Sequence, residues 1–418
     1  MNFWKEQLSR LAALLVLAVF FSVMTRREEF PQDAAAAREL VSGIAKDAKV
    51  MIAVRGVAED KAFAEALKAE LGPRAVEVVT GEPRDARKAL DRVAQTGLDV
   101  IIGTQVTSEW LVFSDLKDVI ILKPSSRTWP VFLTRDNLLN IASQIAVIAI
   151  LAIGMTVVII AGGIDLSVGS LLALSAVVTT LLIQEYYGGS EKAGPAQMVT
   201  ASICGMMVCA CSGWLAGAII TRLRMPPFIV TLAMMLVGSG LAYRLADNQS
   251  VYQVPESFIW LGRGADLMNV PNAVVLMLLL YAAAHGMMTQ TAFGRHLYAV
   301  GGNAEAAMVS GVPVRRVTMM AYALCGLLAG LGGVVMASQL KSGSGTFGAK
   351  YELYAIAAAV VGGTSLSGGR GTMPGTLIGA FIIAVIQNGM NLTNVESNTQ
   401  NIVLGLVILA AVAMERRK

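Results

Sequence analysis

Long apolar blocks, interrupted by short polar connections, fill most of the chain after Pro130. Nine of them fall at about 138–161, 166–184, 197–220, 227–245, 272–289, 317–338, 353–364, 374–390 and 401–414. A bilayer core about 30 Å thick is crossed by about 20 mostly apolar helical residues, so each block predicts a membrane-spanning helix. The block at 353–364 is short, and with the glycine run behind it leaves open a broken or re-entrant element. Irregular backbone survives at membrane depth only where protein or a water-filled cavity supplies its hydrogen bonds. A tenth run, Leu11–Met24, follows Lys5 and Arg10. No small-residue cleavage site stands before Arg26, Arg27, Glu28 and Glu29, so residues 1–25 read as a retained signal anchor.

Between the first run and Pro130 the pattern changes, with dense charges of both signs and short apolar runs. Residues 26–130 predict a soluble insert. "KVMIAV" (Lys49 to Val54), "AVEVVTG", "LDVIIGT" and "DVIILKP" read as strands, and "EDKAFAEALKAELG" and "EPRDARKALDRVAQTG" as amphipathic helices. Strands alternating with helices imply a small βαβ sheet. The insert carries no glycine fingerprint, catalytic triad or metal cluster. A spacer or docking module is the reading favoured over a ligand-binding domain.

Composition agrees with the pattern: of 418 residues 55% are hydrophobic and only 15% charged, too apolar for a soluble protein. The fold class expected is an all-α polytopic membrane protein of about ten transmembrane helices, with a small exported α/β insert after the first. The net charge of +4 implies no nucleic-acid partner, because in membrane proteins the placement of Lys and Arg matters more than their sum. Counting crossings from a cytoplasmic N-terminus puts Arg222 and Arg224, then Arg295, Arg315 and Arg316, then Arg416, Arg417 and Lys418 inside. The same count puts "EYYGGSEKAG", "DNQSVYQVPESFIWLGRGADLMNV", "QLKSGSGTFGAKYEL" and "NLTNVESNTQ" outside. Cys204, Cys209, Cys211 and Cys325 lack metal or redox spacing and read as buried small residues. His285 and His296 have no partner ligands in sequence, and neither metal nor cofactor is expected.

Three stretches carry candidate chemistry. "GGTSLSGGRGT", Gly362 to Thr372, is close to the loop with which ABC-type ATPases clamp a nucleotide. A phosphate cradle normally needs Gly-Lys followed by Ser or Thr, and no Gly-Lys pair occurs in the chain. The stretch therefore reads as a break between two spans, with Gly362, Gly363, Gly368 and Gly369 as its helix-breaking glycines. "GGIDLSVGS" pairs Gly162 and Gly163 with Asp165, which can cap a helix beginning near Leu166. An Asp flanked by spans is a functional candidate by default, with a purely structural cap as the alternative. "GRHLYAVGGNAEAAMVSGVPVRRV", within a cytoplasmic connection at 290–316, places Glu305, Ala306 and Ala307 on a short helix ended by Gly311 and Pro313.

"GGIDLSVGS", "GRHLYAVGGNAEAAMVSGVPVRRV" and "YELYAIAAAVVGGTSLSGGRGTMPGTLIGAFIIAVIQNGMNL", in this order, closely resemble the membrane permease subunit of bacterial ABC importers for monosaccharides, the ribose, xylose and galactose type. "FLTRDNLLNI" and "MPPFIVTLAMMLVGSGLAY" are also similar to that family. The resemblance covers about Val131 to Leu409 and leaves the insert outside the usual pattern. It implies a permease core at 131–418 in a bacterial inner membrane, both termini cytoplasmic, with no catalytic residues of its own. It also implies a second permease copy or a paralogue, a separate cytoplasmic ATPase and a periplasmic sugar-binding protein. By that resemblance the helix with Glu305, Ala306, Ala307 and Gly311 is the coupling helix that enters a cleft on the ATPase.

Polar residues that could line a sugar path are Asp165 and Ser167 in the first break, Arg244, Asp247 and Asn248 at the end of one span, and Gln387, Asn388 and Asn391 at the end of another. Solvated helix ends are the plainer reading of the last two groups. Glycines at i, i+4 (Gly213 and Gly217; Gly326 and Gly330; Gly371, Gly375 and Gly379) read as helix-packing faces. Other readings stay open. An ion-coupled secondary transporter would need intramembrane carboxylates, for which Asp165 and Glu352 are candidates. The cargo could instead be a nucleoside or a branched-chain amino acid. The insert could make the chain a membrane-anchored sensor.

Overall fold

The computed structural model describes residues 2–93, 97–114, 116, 118–252 and 254–415. The basic tail Arg416–Lys418 lies outside the described residues. The chain divides into two compact units, Met1–Thr25 with Phe132–Lys418, and Arg26–Val131.

The larger unit is helical: α1 (Asn2–Met24) is followed, beyond the smaller unit, by α6 (Arg135–Ile160) and by α7 (Val168–Leu181), which runs on as one π turn to Tyr186. Then come α8 (Gly189–Lys192), α9 (Pro195–Leu223), α10 (Pro227–Leu245), α11 (Trp260–Arg263), α12 (Asn272–Gln290), α13 (Ala292–Gly302) and α14 (Ala304–Val309). α15 (Val314–Leu340), α16 (Tyr351–Val361), α17 (Met373–Leu392) and α18 (Ser397–Glu415) complete it. Among the described residues, eight helices are long and apolar enough to cross a membrane, and α16 and α18 are shorter apolar helices. The molecule is an all-α polytopic membrane protein with a small α/β insert.

α6 is the axis of the bundle. Apart from Thr156 it is apolar after Gln144, and every residue from Ile145 to Ile160 is buried, as a helix without a polar face must be. Two polar clasps join it to α17. The amides of Asn137 and Asn388 donate reciprocally to each other's oxygens at 2.9 and 3.0 Å, and the hydroxyls of Thr156 and Thr376 lie 2.8 Å apart. α9 crosses α15 on glycine. A Cβ at Gly217 would stand 2.8 Å from Met319 Cα, and one at Gly330 would stand 2.7 Å from Met206 Cα. With lipid as solvent there is no hydrophobic drive between helices, so such close approach supplies the association. Gly375 and Gly379 do the same for α17 against Gly362 and Ala358, whereas Gly371 precedes α17 and faces Thr364.

Two sequence expectations change. Cys209 and Cys325 are buried, but Cys204 and Cys211 are exposed on the outer face of α9. The span expected at 353–364 is the 11-residue α16, and the residues before it, Lys341–Lys350, are not a free loop. Their backbone lies along α7: Gly343 packs on Ala176 and Thr180, and Gly348 packs on Gly169 and Leu172.

The smaller unit opens with β1 (Arg26–Glu29) and α2 (Ala34–Ser42), followed by β2 (Val50–Val54), α3 (Ala58–Leu71), β3 (Ala75–Thr80), α4 (Pro83–Val93) and β4 (Val100–Gly103). α5 (Gln105–Ser108), β5 (Ile120–Leu122) and β6 (Arg127–Pro130) close it. The four parallel strands lie in the order β3-β2-β4-β5, and β1 pairs antiparallel with β6, so the entering and leaving strands are hydrogen-bonded together. Alternation along β2 separates two cores. Val50, Ile52 and Val54 pack with α2 and α3, and Met51 and Ala53 pack with α4 and Phe113. Beyond β2, the Arg55 guanidinium grips the buried Asp60 carboxylate through Nε (2.8 Å) and Nη2 (3.1 Å). The hydrogen bond and charge of Asp60 push the Arg55 guanidinium up from its ordinary value.

Candidate functional site: a capped two-helix connection joined to two helix breaks

The connection between α12 and α15 folds as two short, capped helices. Thr291 Oγ1 accepts from the Gly294 N–H at 3.3 Å to start α13, and Asn303 Oδ1 accepts from the Ala306 N–H at 2.9 Å to start α14. Gly311, at φ 83°, is left-handed, which suits glycine, and lets the chain turn into α15. On α14, Glu305 and Ala306 are exposed while Ala307 is buried against the bundle. The outward face also carries Met308 and Val309, 63% and 87% exposed. Sequence reasoning named the two alanines and passed over this apolar pair. The signal was present, because a helix anchored by Ala307 must turn its next two residues outward.

Behind α14, the end of α13 is locked to both helix breaks by bare backbone. Gly301 lies against the Ile160 carbonyl at the end of α6. Gly369 N–H donates to that same carbonyl at 2.9 Å. Gly302 lies against Gly369, a Cβ at Gly368 would be 2.8 Å from the Gly301 oxygen and 3.1 Å from Gly162 Cα, and Tyr298 Oη donates to the Gly371 carbonyl at 2.8 Å. Four glycines, Gly301, Gly302, Gly368 and Gly369, thus join three segments distant in sequence. Gly368 and Gly369 hold φ of 85° and 69°, and Gly363 holds 82°. The loop closes on itself through Ser365 N–H to the Arg370 carbonyl at 2.9 Å, and Ser365 and Ser367 hydroxyls lie 2.9 Å apart, while Arg370 is exposed. From α1, Arg10 reaches Gly363 and Gly375, and Gln7 Nε2 donates to Thr372 Oγ1 at 2.9 Å.

The first break begins at Gly162, φ 86°. Gly163 packs against the Tyr322 hydroxyl. Asp165 is fully buried, and its Oδ1 accepts from Ser167 N–H (2.9 Å) and Ser167 Oγ (2.6 Å). α7 begins at Val168, so this carboxylate closes a turn one step ahead of the helix instead of capping its first N–H groups. Asp165 Oδ2 has no hydrogen-bond partner among the described residues.

The structure sorts the polar candidates into groups. Arg244 and Asp247, with Gly240, Tyr243 and Asn248, line one cleft of about 460 Å³ at the end of α10. Asp165, Ser167 and Asn388 are buried and hydrogen-bonded within the protomer. Asn391 is exposed and accepts from Gln400 of α18 at 2.8 Å. Among the described residues no three of His, Cys, Asp or Glu gather as a metal site.

Residues 137–412 match the family described as branched-chain amino acid transport system / permease component. The chain is 43% identical over 302 residues to the ribose import permease protein RbsC of Bacillus subtilis, covering 72% of this chain and 89% of that one. It is 40% identical over 318 residues to RbsC of Escherichia coli K12, covering 75% and 96%. The xylose transport system permease protein XylH of the same organism is 33% identical over 344 residues, covering 68% and 86%. No solved structure matches. The match starts beyond the α/β insert and takes in both breaks and the capped connection between α12 and α15, and the chain belongs to this family of transport-system permease components.

Proposed function

We propose that the chain is the membrane subunit of an ATP-driven bacterial importer, and that its cargo is a monosaccharide, a ribose-like pentose or a hexose. ATP is hydrolysed on a separate cytoplasmic subunit that docks on α14. A soluble sugar-binding protein delivers the cargo from outside, and a second copy of the chain completes the pathway. Both termini face the cytoplasm, and the α/β insert between α1 and α6 is exported. The names of the relatives supply the sugar, and the exposed Met308 and Val309 supply the docking face.

That pair carries the reading. Exposed apolar residues on a polar connection mark a binding surface, and the glycine junction behind α14 gives the docked helix a mechanical hold on both breaks. ATP binding to the partner then shifts the protomer between inward-open and outward-open states by differential binding, and the pathway need hold sugar only weakly. Val309→Asp places a charge on that face without touching the bundle. It is expected to lower retention of the ATPase in detergent by about tenfold or more, the scale of an interface hot spot. The apparent melting midpoint of the permease alone should stay unchanged.

The test of the whole reading is reconstitution with the ATPase and a binding protein, followed by a screen of sugars for stimulated ATP hydrolysis and vesicle uptake. Uptake that proceeds with no ATPase present would convert the assignment to ion coupling. Stimulation by branched-chain amino acids and not by sugars would move the cargo to the class in the family's description.

A further inference from the structure

The backbone of Lys341–Lys350 together with α16 makes one broken span, and its middle carries two ionisable side chains, the exposed Lys350 and the half-buried Glu352, whose carboxylate lies against Gly169. α16 has 11 residues, about 16 Å of helix, roughly half the hydrocarbon core. Its C-terminal end is fixed at the glycine loop, where Gly362 meets Gly375 and the loop meets the end of α13. Its N-terminal end, Tyr351, is therefore near mid-depth. The unwound half agrees, since it descends along α7 from Thr180 at Gly343 to Gly169 at Gly348. On this stretch Thr346, Ala349 and Lys350 are exposed, and among the described residues the Lys350 ammonium has no hydrogen-bond or ion-pair partner.

A lysine near mid-depth lies about 15 Å from either interface, farther than its stem can reach, so it must meet water or protein and not lipid. The same stretch continues the outer cleft. A Cβ at Gly345 would stand 3.0 Å from the ring of Tyr243, which lines that cleft with Arg244 and Asp247. Tyr243 thus joins the cleft of Arg244 and Asp247 to the stretch that exposes Thr346 and Lys350. Unwound backbone at this depth is tolerated against protein or water and not against lipid; α7 covers it at Gly343 and Gly348, and Thr346, Ala349 and Lys350, which are exposed, face water.

We propose that Thr346–Lys350 lines the hydrated route through this permease. Neutral polyhydroxyl solutes pass it, exchanging hydrogen bonds with Thr346 and exposed backbone. This rests on the importer reading above. The experiment uses the full chain with its ATPase in proteoliposomes, all four native cysteines replaced, and single cysteines introduced as T346C and K350C. A third chain keeps only Cys211, exposed on α9. A charged, membrane-impermeant thiol reagent is expected to modify T346C and K350C at least about tenfold faster than Cys211, because only a hydrated thiol ionises readily. Sugar uptake by each variant is measured before labelling. If uptake is intact and both introduced thiols react no faster than Cys211, the stretch is dry, whether against lipid or a second copy, and the inference falls while the importer reading stands. Absence of ATP-driven uptake in the unmodified chain would instead remove the importer reading.

Discussion

Gly301→Ala is expected to abolish sugar uptake while leaving ATP hydrolysis by the docked partner within about twofold of the parent. The reason is geometric. A Cβ at Gly301 would land on the Ile160 carbonyl oxygen and 2.6 Å from the Gly369 nitrogen, the two groups that bond to each other across the junction. Neither neighbour is a flexible side-chain tip that can swing aside. The methyl group must therefore push α13 away from the end of α6, break the Gly369 bond, or both. The neighbouring glycine provides the control, because nothing lies within 4 Å of a Cβ at Gly302. Gly302→Ala should transport normally, although both substitutions are chemically identical and adjacent. Uptake by the two variants at matched expression, beside ATP hydrolysis, decides the matter. Equal, undiminished uptake would show that the junction transmits nothing.

The junction also shows what could be read from the amino-acid sequence and what could not. Blocks such as 227–245 gave the span to the residue, because in lipid the length of an apolar run is the structure. Strands such as Val50–Val54 were legible for a similar reason, since parallel sheets buried on both faces are continuously apolar. What escaped was long-range or backbone-borne. Asn388 looked like a solvated helix end because its partner, Asn137, is 251 residues away. Lys350 looked like part of an ordinary polar connection, because a pattern read along the chain does not say that the connection re-enters the bundle along α7. The β1–β6 ribbon was missed because four charged residues, Arg26–Glu29, do not alternate as a half-buried strand would. "GGTSLSGGRGT" reads as a break, and it lies between the end of α16 at Val361 and the start of α17 at Met373. Its contact with the end of α13 depends on Gly301 and Gly302, and no local pattern links the two.

Gly326→Leu is expected to prevent accumulation of folded protein, and Gly326→Ala to lower its stability by about 1–3 kcal/mol, the usual cost of overpacking. α9 and α15 meet where Gly326 faces the Cys209 carbonyl and Gly213 faces the Tyr322 carbonyl. A Cβ on either glycine would also lie 3.3 Å from the other's Cα. The contact is backbone on backbone, so a larger residue separates the helices along the crossing instead of displacing one side chain. α15 also carries Tyr322, which closes the first break at Gly163, so separation there would loosen the break as well as the pair. Gly286 on α12 is the matched comparison, since nothing lies within 4 Å of a Cβ there. Gly286→Ala should be neutral or stabilising by up to about 1 kcal/mol, from the helix propensity of alanine over glycine. Apparent melting midpoints in one detergent, measured for Gly326→Ala and Gly286→Ala together, should move in opposite directions or leave Gly286→Ala unmoved. If both fall equally, glycine is needed in these helices for something other than close approach, and the packing account of α9 and α15 fails.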